Sequence, residues 1–181
     1  YDRFYNSAKV AADAFKEISS LDWFAQGSPK APGKIYIIID PNCSYCHRMY
    51  DEIEPLIKAN KVQVRWIPVG FLRPDSAGMS AKILSGKTDK EKVALFEQNE
   101  DKFKDAVEHG GLTPLKSDSK DKADVAAFNS VKKNTAFFSK FGFGGTPTIL
   151  YKNTSGTPKF IPGFVQGEAL TKLINSATKT W

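Results

Sequence analysis

No apolar run in the 181-residue sequence approaches the roughly 20 residues needed to cross a bilayer, so nothing in it reads as a membrane span. Basic residues are not gathered either. The net charge of +6 comes from lysines spread along the chain, and close pairs such as Lys90/Lys92 and Lys132/Lys133 sit among acids or apolar residues. A dispersed lysine surface serves solubility and argues against nucleic acid as a partner. There is no internal repeat and no low-complexity tract. Neither a methionine nor an export signal stands at Tyr1, which reads as the start of a processed or trimmed product. An apolar share of 41% and a charged share of 25% are ordinary for a globular protein with one well-buried core. Cysteine is scarcer still. Cys43 and Cys46 are the only two, and a chain that keeps two thiols at this spacing uses them on each other.

Around that pair the sequence falls into recognisable elements. Phe4, Ala8, Ala11, Phe15 and Ile18 recur at helical spacing and predict a lead-in helix over residues 4–21, with a boundary near residue 22. Trp23 and Phe24 suit a short edge strand, closed by the turn-rich segment 27–33. Ile35 to Ile39 is a continuous β-branched run, as in a strand buried on both faces. An amphipathic helix follows to about Lys58, burying Met49, Ile53, Leu56 and Ile57 and expected to kink at Pro55. Val62, Val64 and Trp66 alternate with polar residues and predict a second strand. A helical insertion over about 76–141 comes next: Ser76 to Leu84, then a helix opened by the capping box Thr88–Glu91 with Val93, Phe96 and Phe103 inward. After a loop at 110–120, a third helix runs to Lys140 and buries Val125, Phe128, Val131 and Phe138. Thr148–Tyr151 and Lys159–Ile161 flank a hairpin turn at Asn153–Gly156. A last helix over 168–177 buries Leu170, Leu173 and Ile174. The order β-α-β, helical insertion, β-β-α predicts an α/β fold of thioredoxin-like type.

Strand, turn and a helix that opens on a cysteine place Cys43 where unpaired N–H groups and the helix dipole stabilise a thiolate. Cys43 is then the accessible nucleophile, and Cys46, one turn inside, is the shielded thiol that resolves the mixed disulfide. Ser44 and Tyr45, between the sulfurs, present an N–H group and a ring that tune the pair. A purely structural disulfide is the bland alternative, but a four-residue loop constrains little of the unfolded chain. His47 completes a Cys-x-x-Cys-His, the attachment pattern of c-type haem, for which Met49, Met79 or His109 would be axial ligands. Zinc held by Cys43, Cys46, His47 and His109 is a further alternative. Downstream, Gly144-Gly145-Thr146-Pro147 precedes a strand. Thioredoxin-like sites set a cis proline there, leaving backbone of the preceding residue to pair with an extended substrate, so Thr146 and Pro147 join the candidate site. The dithiol itself carries the electrons, and neither cofactor nor metal is expected. Composition alone leaves the compartment open, since a lone close pair of cysteines suits an exported or a cytosolic protein.

The segments Ile35–Cys46, Pro68–Ser76 and Thr146-Pro147 resemble the DsbC/DsbG group of bacterial periplasmic disulfide isomerases over nearly the whole chain, the DsbG side more closely through residues 68–76. The pair Ser44-Tyr45 departs from the Pro-Tyr and Gly-Tyr usual in that group. The resemblance implies a thioredoxin-like domain over residues 22–181, with residues 1–21 as the linker helix from an N-terminal dimerisation domain. It also implies a homodimer in the full-length form, periplasmic location, upkeep by a DsbD-type membrane reductant, and protein substrates with cysteines or wrong disulfides. Cys43 carries over as nucleophile, Cys46 as resolving thiol and Thr146-Pro147 as the cis-proline loop. Thioredoxin's buried aspartate beneath the cysteines has no counterpart, because Ile37 stands at that position; Asp40 and Glu52 are the candidates to replace it. Isomerase or reductase action is expected. The alternatives are an oxidase, or a chaperone-like module that binds unfolded chains around Phe141, Phe143 and Phe164.

Overall fold

The computed structural model describes residues 2–181, with side chains from residue 7 onward, so the expected inward face of Phe4 lies outside the described residues. In chain order the elements are α1 (Asp2–Phe15), β1 (Phe24–Gln26), β2 (Gly33–Ile39), α2 (Ser44–Lys58), β3 (Val62–Pro68), α3 (Ser76–Leu84), α4 (Asp89–Asp101), α5 (Lys122–Phe141), β4 (Thr148–Lys152), β5 (Pro158–Pro162) and α6 (Gly167–Ser176). Short 3-10 turns sit at Ile18–Ser20 and Asp105–Val107. The strands form one sheet in the order β1-β3-β2-β4-β5. β2 and β3 run parallel, pairing Ile37 with Trp66, while the other three pairings are antiparallel. This is the expected α/β arrangement of thioredoxin-like type.

Strand β2 is buried along its full length, which explains its lack of polar alternation. Its side chains sort by the period of two. Ile35, Ile37 and Ile39 pack with Met49, Ile53 and Ile57 of α2, Trp66 of β3 and the inward side of α6. Tyr36 and Ile38 face the other way, onto Ala14, Ile18, Phe137, Phe138 and Phe143. The sheet is therefore covered on both sides, α1 and α5 contributing to the second layer. Helix α2 continues through Pro55 to Lys58.

The insertion is helical as expected, but its faces differ in detail. On α5 the buried stripe is Ala127, Val131, Asn134, Phe137 and Phe138; Val125 is 43% exposed and Phe128 only partly covered. The reason is the i, i+4, i+7 spacing set by Asn134. Its amide accepts the Asp22 N–H at 3.0 Å and donates to the carbonyls of Asp22 and Pro68 at 2.9 and 3.0 Å. A polar residue is thus the inner anchor of the helix, which an apolar count alone does not reveal. On α4, Thr88 Oγ1 accepts the Glu91 N–H at 3.1 Å, as a capping box requires, while the Glu91 carboxylate reaches the Lys87 N–H at 2.7 Å. The helix stops at Asp101, so Phe103 leaves the expected inward row and stacks instead on the His47 ring, centroids 4.5 Å apart and planes nearly parallel. The hairpin between β4 and β5 closes on Asn153, whose side-chain oxygen Oδ1 accepts the N–H groups of Ser155 and Thr157.

Candidate active site

Strand β2 ends in Asp40-Pro41-Asn42, and the chain turns there into α2. Cys43 is the N-cap of that helix, in extended backbone conformation, with its own sulfur as the capping acceptor: Sγ takes the Cys46 N–H at 3.1 Å. The helix thus begins at Ser44, with Cys46 inside its first turn. Sγ of Cys43 also lies 3.5 Å from the carbonyl oxygen of Thr146, to which its thiol can donate. The Thr146–Pro147 peptide is cis, and the Pro147 carbonyl accepts the Gly163 N–H at 2.7 Å, tying the end of β5 to the same loop. The pair Cys43 and Cys46 and the pair Thr146 and Pro147, about 100 positions apart in the chain, are therefore one cluster.

Both cysteines are free thiols in this structure, 5% and 2% exposed. Cys43 is more recessed than expected of an accessible nucleophile, because the Thr146 loop leans over it. Hydrogen bonding from the Cys46 side chain is the main influence that holds the Cys43 thiol below the ordinary thiol range. Burial and the Asp40 charge oppose it, and the Cys46 N–H adds to it. Burial pushes the Cys46 thiol well up, with Cys43 beside it acting in the same direction. The two sulfurs thus differ in the sense that a nucleophile and a resolving thiol require. Ser44 heads the helix, and Tyr45 projects from it, 55% exposed. The Arg48 guanidinium lies 5.3 Å above the Tyr45 ring, and Phe164 flanks that ring at 6.2 Å.

The two acids that are candidates to replace the buried aspartate, Asp40 and Glu52, are otherwise engaged. Asp40 is 1% exposed, and its carboxylate accepts four donors: the N–H groups of Asn42, Phe71 and Leu72, each at 3.0 Å, and the Ser76 hydroxyl at 2.8 Å. It anchors the loop after β3 to the turn before Cys43. Glu52 accepts the Gly167 N–H at the start of α6, at 3.2 Å. Ile37 is fully buried in the apolar core.

The histidines of the haem and zinc alternatives point elsewhere. The His47 ring faces Glu100 (3.6 Å) and Asp51 (3.5 Å), and His109 Nε2 pairs with Asp75 at 2.7 Å. Among the described residues, no three His, Cys, Asp or Glu side chains converge as a metal site. Glu100 is itself buried, and burial pushes its carboxyl up, while its proximity holds the His47 imidazolium above the ordinary range.

The sequence profile of the thioredoxin-like domain matches residues 25–178. The chain belongs to the thioredoxin-like domain family. Among curated proteins it is similar to the thiol:disulfide interchange protein DsbG of Pseudomonas aeruginosa, 29% identical over 167 residues that cover 92% of this chain and 60% of that protein. DsbG of Escherichia coli is 28% identical over 97 residues, 54% of this chain and 39% of that protein. The chain thus spans about three-fifths or less of the length of these relatives. Among solved structures, the catalytic domain of Proteus mirabilis ScsC superposes with a TM-score of 0.65 at 19% identity, covering 93% of this chain and 96% of that one. The thiol-disulfide exchange protein α-DsbA2 of Wolbachia pipientis superposes with a TM-score of 0.68 at 13% identity, covering 97% of each. Those two likenesses carry the fold.

Within this thioredoxin-like domain the residues that motif reading missed are mostly polar ones that tie the cysteine turn to the loop after β3 and to the insertion. Asn42 donates to Asp75 and Ser76 and accepts the Gly110 N–H. Asn99 of α4 donates to the Pro41 carbonyl at 3.0 Å, and Gly110 lies so close that a Cβ there would meet Asn99 and the Pro41 oxygen. Arg73 donates to the carbonyls of Val107 and Glu108, both at 2.9 Å. The advance signs were the stretches 35–46 and 68–76, which the DsbC/DsbG resemblance singled out without giving Asn42 or Arg73 a role. Of the phenylalanines expected to offer apolar surface, Phe143 is core, packed by Phe137, Phe138 and Phe160, and Phe141 lies against it. The exposed apolar side chains include Tyr45, Phe71, Leu72 and Val107. Tyr45 stands on the first turn of α2, Phe71 and Leu72 on the loop that Asp40 ties to the cysteine turn, and Val107 next to Glu108, which reaches Ser44, so these four flank the site.

Proposed function

We propose that this chain is a thiol:disulfide oxidoreductase that acts on periplasmic protein substrates as an isomerase or reductase. The observation that carries the reading is the Cys43 sulfur, at the N-cap of α2, in reach of the Cys46 N–H at 3.1 Å and the Thr146 carbonyl at 3.5 Å. In this reading Cys43 is the nucleophile. Its thiolate attacks one sulfur of a client disulfide; the Cys43–client bond forms as the client bond breaks, and the second client sulfur leaves as thiolate. The freed thiolate can attack another disulfide in the same client, which releases Cys43 and isomerises the client. Alternatively Cys46 loses its proton and displaces the client, which reduces it and oxidises the pair. Ser44, Tyr45, Thr146 and Pro147 form the binding surface, with the client chain extended along the Thr146 loop.

Similarity to proteins named for thiol:disulfide interchange supports the reaction class, and the periplasm follows from the resemblance to the DsbC/DsbG group. Isomerase action needs the pair mainly reduced, and we include in the proposal a DsbD-type membrane reductant and a homodimer in the full-length form. An oxidase is the neighbouring reading. Equilibration with glutathione separates the two, because a strongly oxidising pair with no reducing partner contradicts the isomerase role. A binding module for unfolded chains is favoured by the exposed Tyr45, Phe71, Leu72 and Val107 around the thiol, and the two roles can share that surface.

Trapping tests the proposal. Cys46→Ala leaves the attack intact and removes the resolving thiol, so mixed disulfides through Cys43 are expected to accumulate in the periplasm and to be released by dithiothreitol. If Cys46→Ala captures no more protein than a Cys43/Cys46 double alanine variant, the reading is wrong.

A further inference from the structure

The insertion places one carboxylate at the mouth of the site. Glu108 follows the short turn Asp105–Val107 and holds a left-handed backbone conformation, φ 49° and ψ 61°. Such a conformation is uncommon for a residue with a side chain. Here Arg73 pins it, donating to the carbonyls of Glu108 and Val107 at 2.9 Å each, with its guanidinium 3.7 Å from the Glu108 carboxylate. As a result Glu108 Oε2 accepts the N–H of Ser44 at 3.4 Å. Ser44 follows Cys43 directly, so its amide belongs to the positive helix end that would otherwise face the thiolate and any anion approaching it.

Other charges near this mouth are arranged differently. Arg48 lies over Tyr45, Asp51 is engaged with His47, and Glu52 with Gly167. Asp75 is paired with His109, and Asp40 is enclosed by four donors. Arg73 opposes Glu108 in part, but spends its directed hydrogen bonds on backbone oxygens.

Resting on the oxidoreductase reading above, we infer that Glu108 is a specificity-determining residue, one that disfavours disulfides with anionic flanks and favours those with neutral or cationic ones. The insertion thereby supplies charge discrimination that the two cysteines and the proline loop lack. Charge at a half-exposed position acts on encounter and on the early attack, so its effect is screened by salt.

The test uses two small disulfides of opposite charge, glutathione disulfide (anionic) and cystamine (cationic), reacting with the reduced chain. In each case the Cys43 thiolate displaces one half as a thiolate and keeps the other in a mixed disulfide. The ratio of the two rates cancels any general change in Cys43 nucleophilicity, which a merely structural role for Glu108 would produce. With Glu108→Lys, the ratio of the glutathione rate to the cystamine rate is expected to rise about 5- to 20-fold at low ionic strength. Glu108→Gln, which keeps the shape and one acceptor oxygen, should give about 2- to 5-fold, and both effects should shrink toward unity in molar salt. A ratio unchanged in both variants, or a shift that persists in molar salt, overturns the inference. If the unaltered chain attacks neither disulfide, the oxidoreductase reading fails instead, so the two failures are distinguishable.

Discussion

Replacing Cys43 by serine is expected to abolish exchange, with insulin reduction by glutathione or dithiothreitol falling to the rate those thiols give without the protein. A hydroxyl at this N-cap still accepts the Cys46 N–H, so the fold should survive and its melting temperature should move little. What disappears is an atom that can be ionised near neutral pH and bonded to sulfur. Cys46→Ala behaves differently. It retains the first attack and fails at release, and this asymmetry is what separates a nucleophile from a resolving thiol. A pH profile adds an internal check. In the unaltered chain, Cys43 should be alkylated rapidly at pH values below the ordinary thiol range, because the Cys46 side chain donates to its thiolate. Removing that donor in Cys46→Ala takes away the largest influence lowering the Cys43 pKa, so the profile should shift to higher pH. Alkylation by iodoacetamide across pH 5 to 10 reads both. Equal reactivity of the two sulfurs, or no shift in the variant, would contradict the roles assigned to them.

The order of elements was legible in the sequence because each carries a strong local signal. The β-branched run at 35–39, the paired cysteines and the Thr146-Pro147 strand entry all depend on residues close in sequence. Phe103 and Val125 were misplaced for a common reason. Both follow the helical apolar period, but the first lies beyond the end of α4, and the second is off the face that Asn134 fixes through Asp22 and Pro68. A polar residue that sets a helix's inner face leaves no periodic trace. The same holds for the ring of Asn42, Asp75, Asn99 and His109, whose partners come from loops 30 to 70 residues away. Asp40 was noticed as an acid close to the cysteines, but its four donors come from three separate places in the chain. Composition and spacing show where ionisable groups are, and only topology shows which of them are already satisfied.

That saturation makes Asp40→Ala the substitution with the largest expected cost in stability. Four donors aimed at a carboxylate that is 1% exposed would lose their acceptor in a space too enclosed for water to replace it fully. Hydrogen bonds to a charged group contribute about 1.5–3 kcal/mol each and do not add linearly, so a loss of at least about 3 kcal/mol is expected. Urea denaturation of the reduced chain measures it. Asp40→Asn discriminates mechanism from volume. It nearly preserves the shape, but of its two positions one must become an NH2 group, set either against the Phe71 and Leu72 N–H groups or against Asn42 and Ser76. It should therefore recover only part of the lost stability. The functional consequence follows from what Asp40 holds. Phe71 and Leu72 supply part of the apolar rim, and Asn42 precedes the nucleophile, so the two would no longer be fixed to one another. In Asp40→Asn the loss should fall mainly on exchange with a protein client, while the rate with a small disulfide changes less, because only the protein needs the rim. Removal of the Asp40 charge, which opposes ionisation of Cys43, even favours the small-disulfide reaction. Equal losses on both substrates would place the role of Asp40 in folding alone.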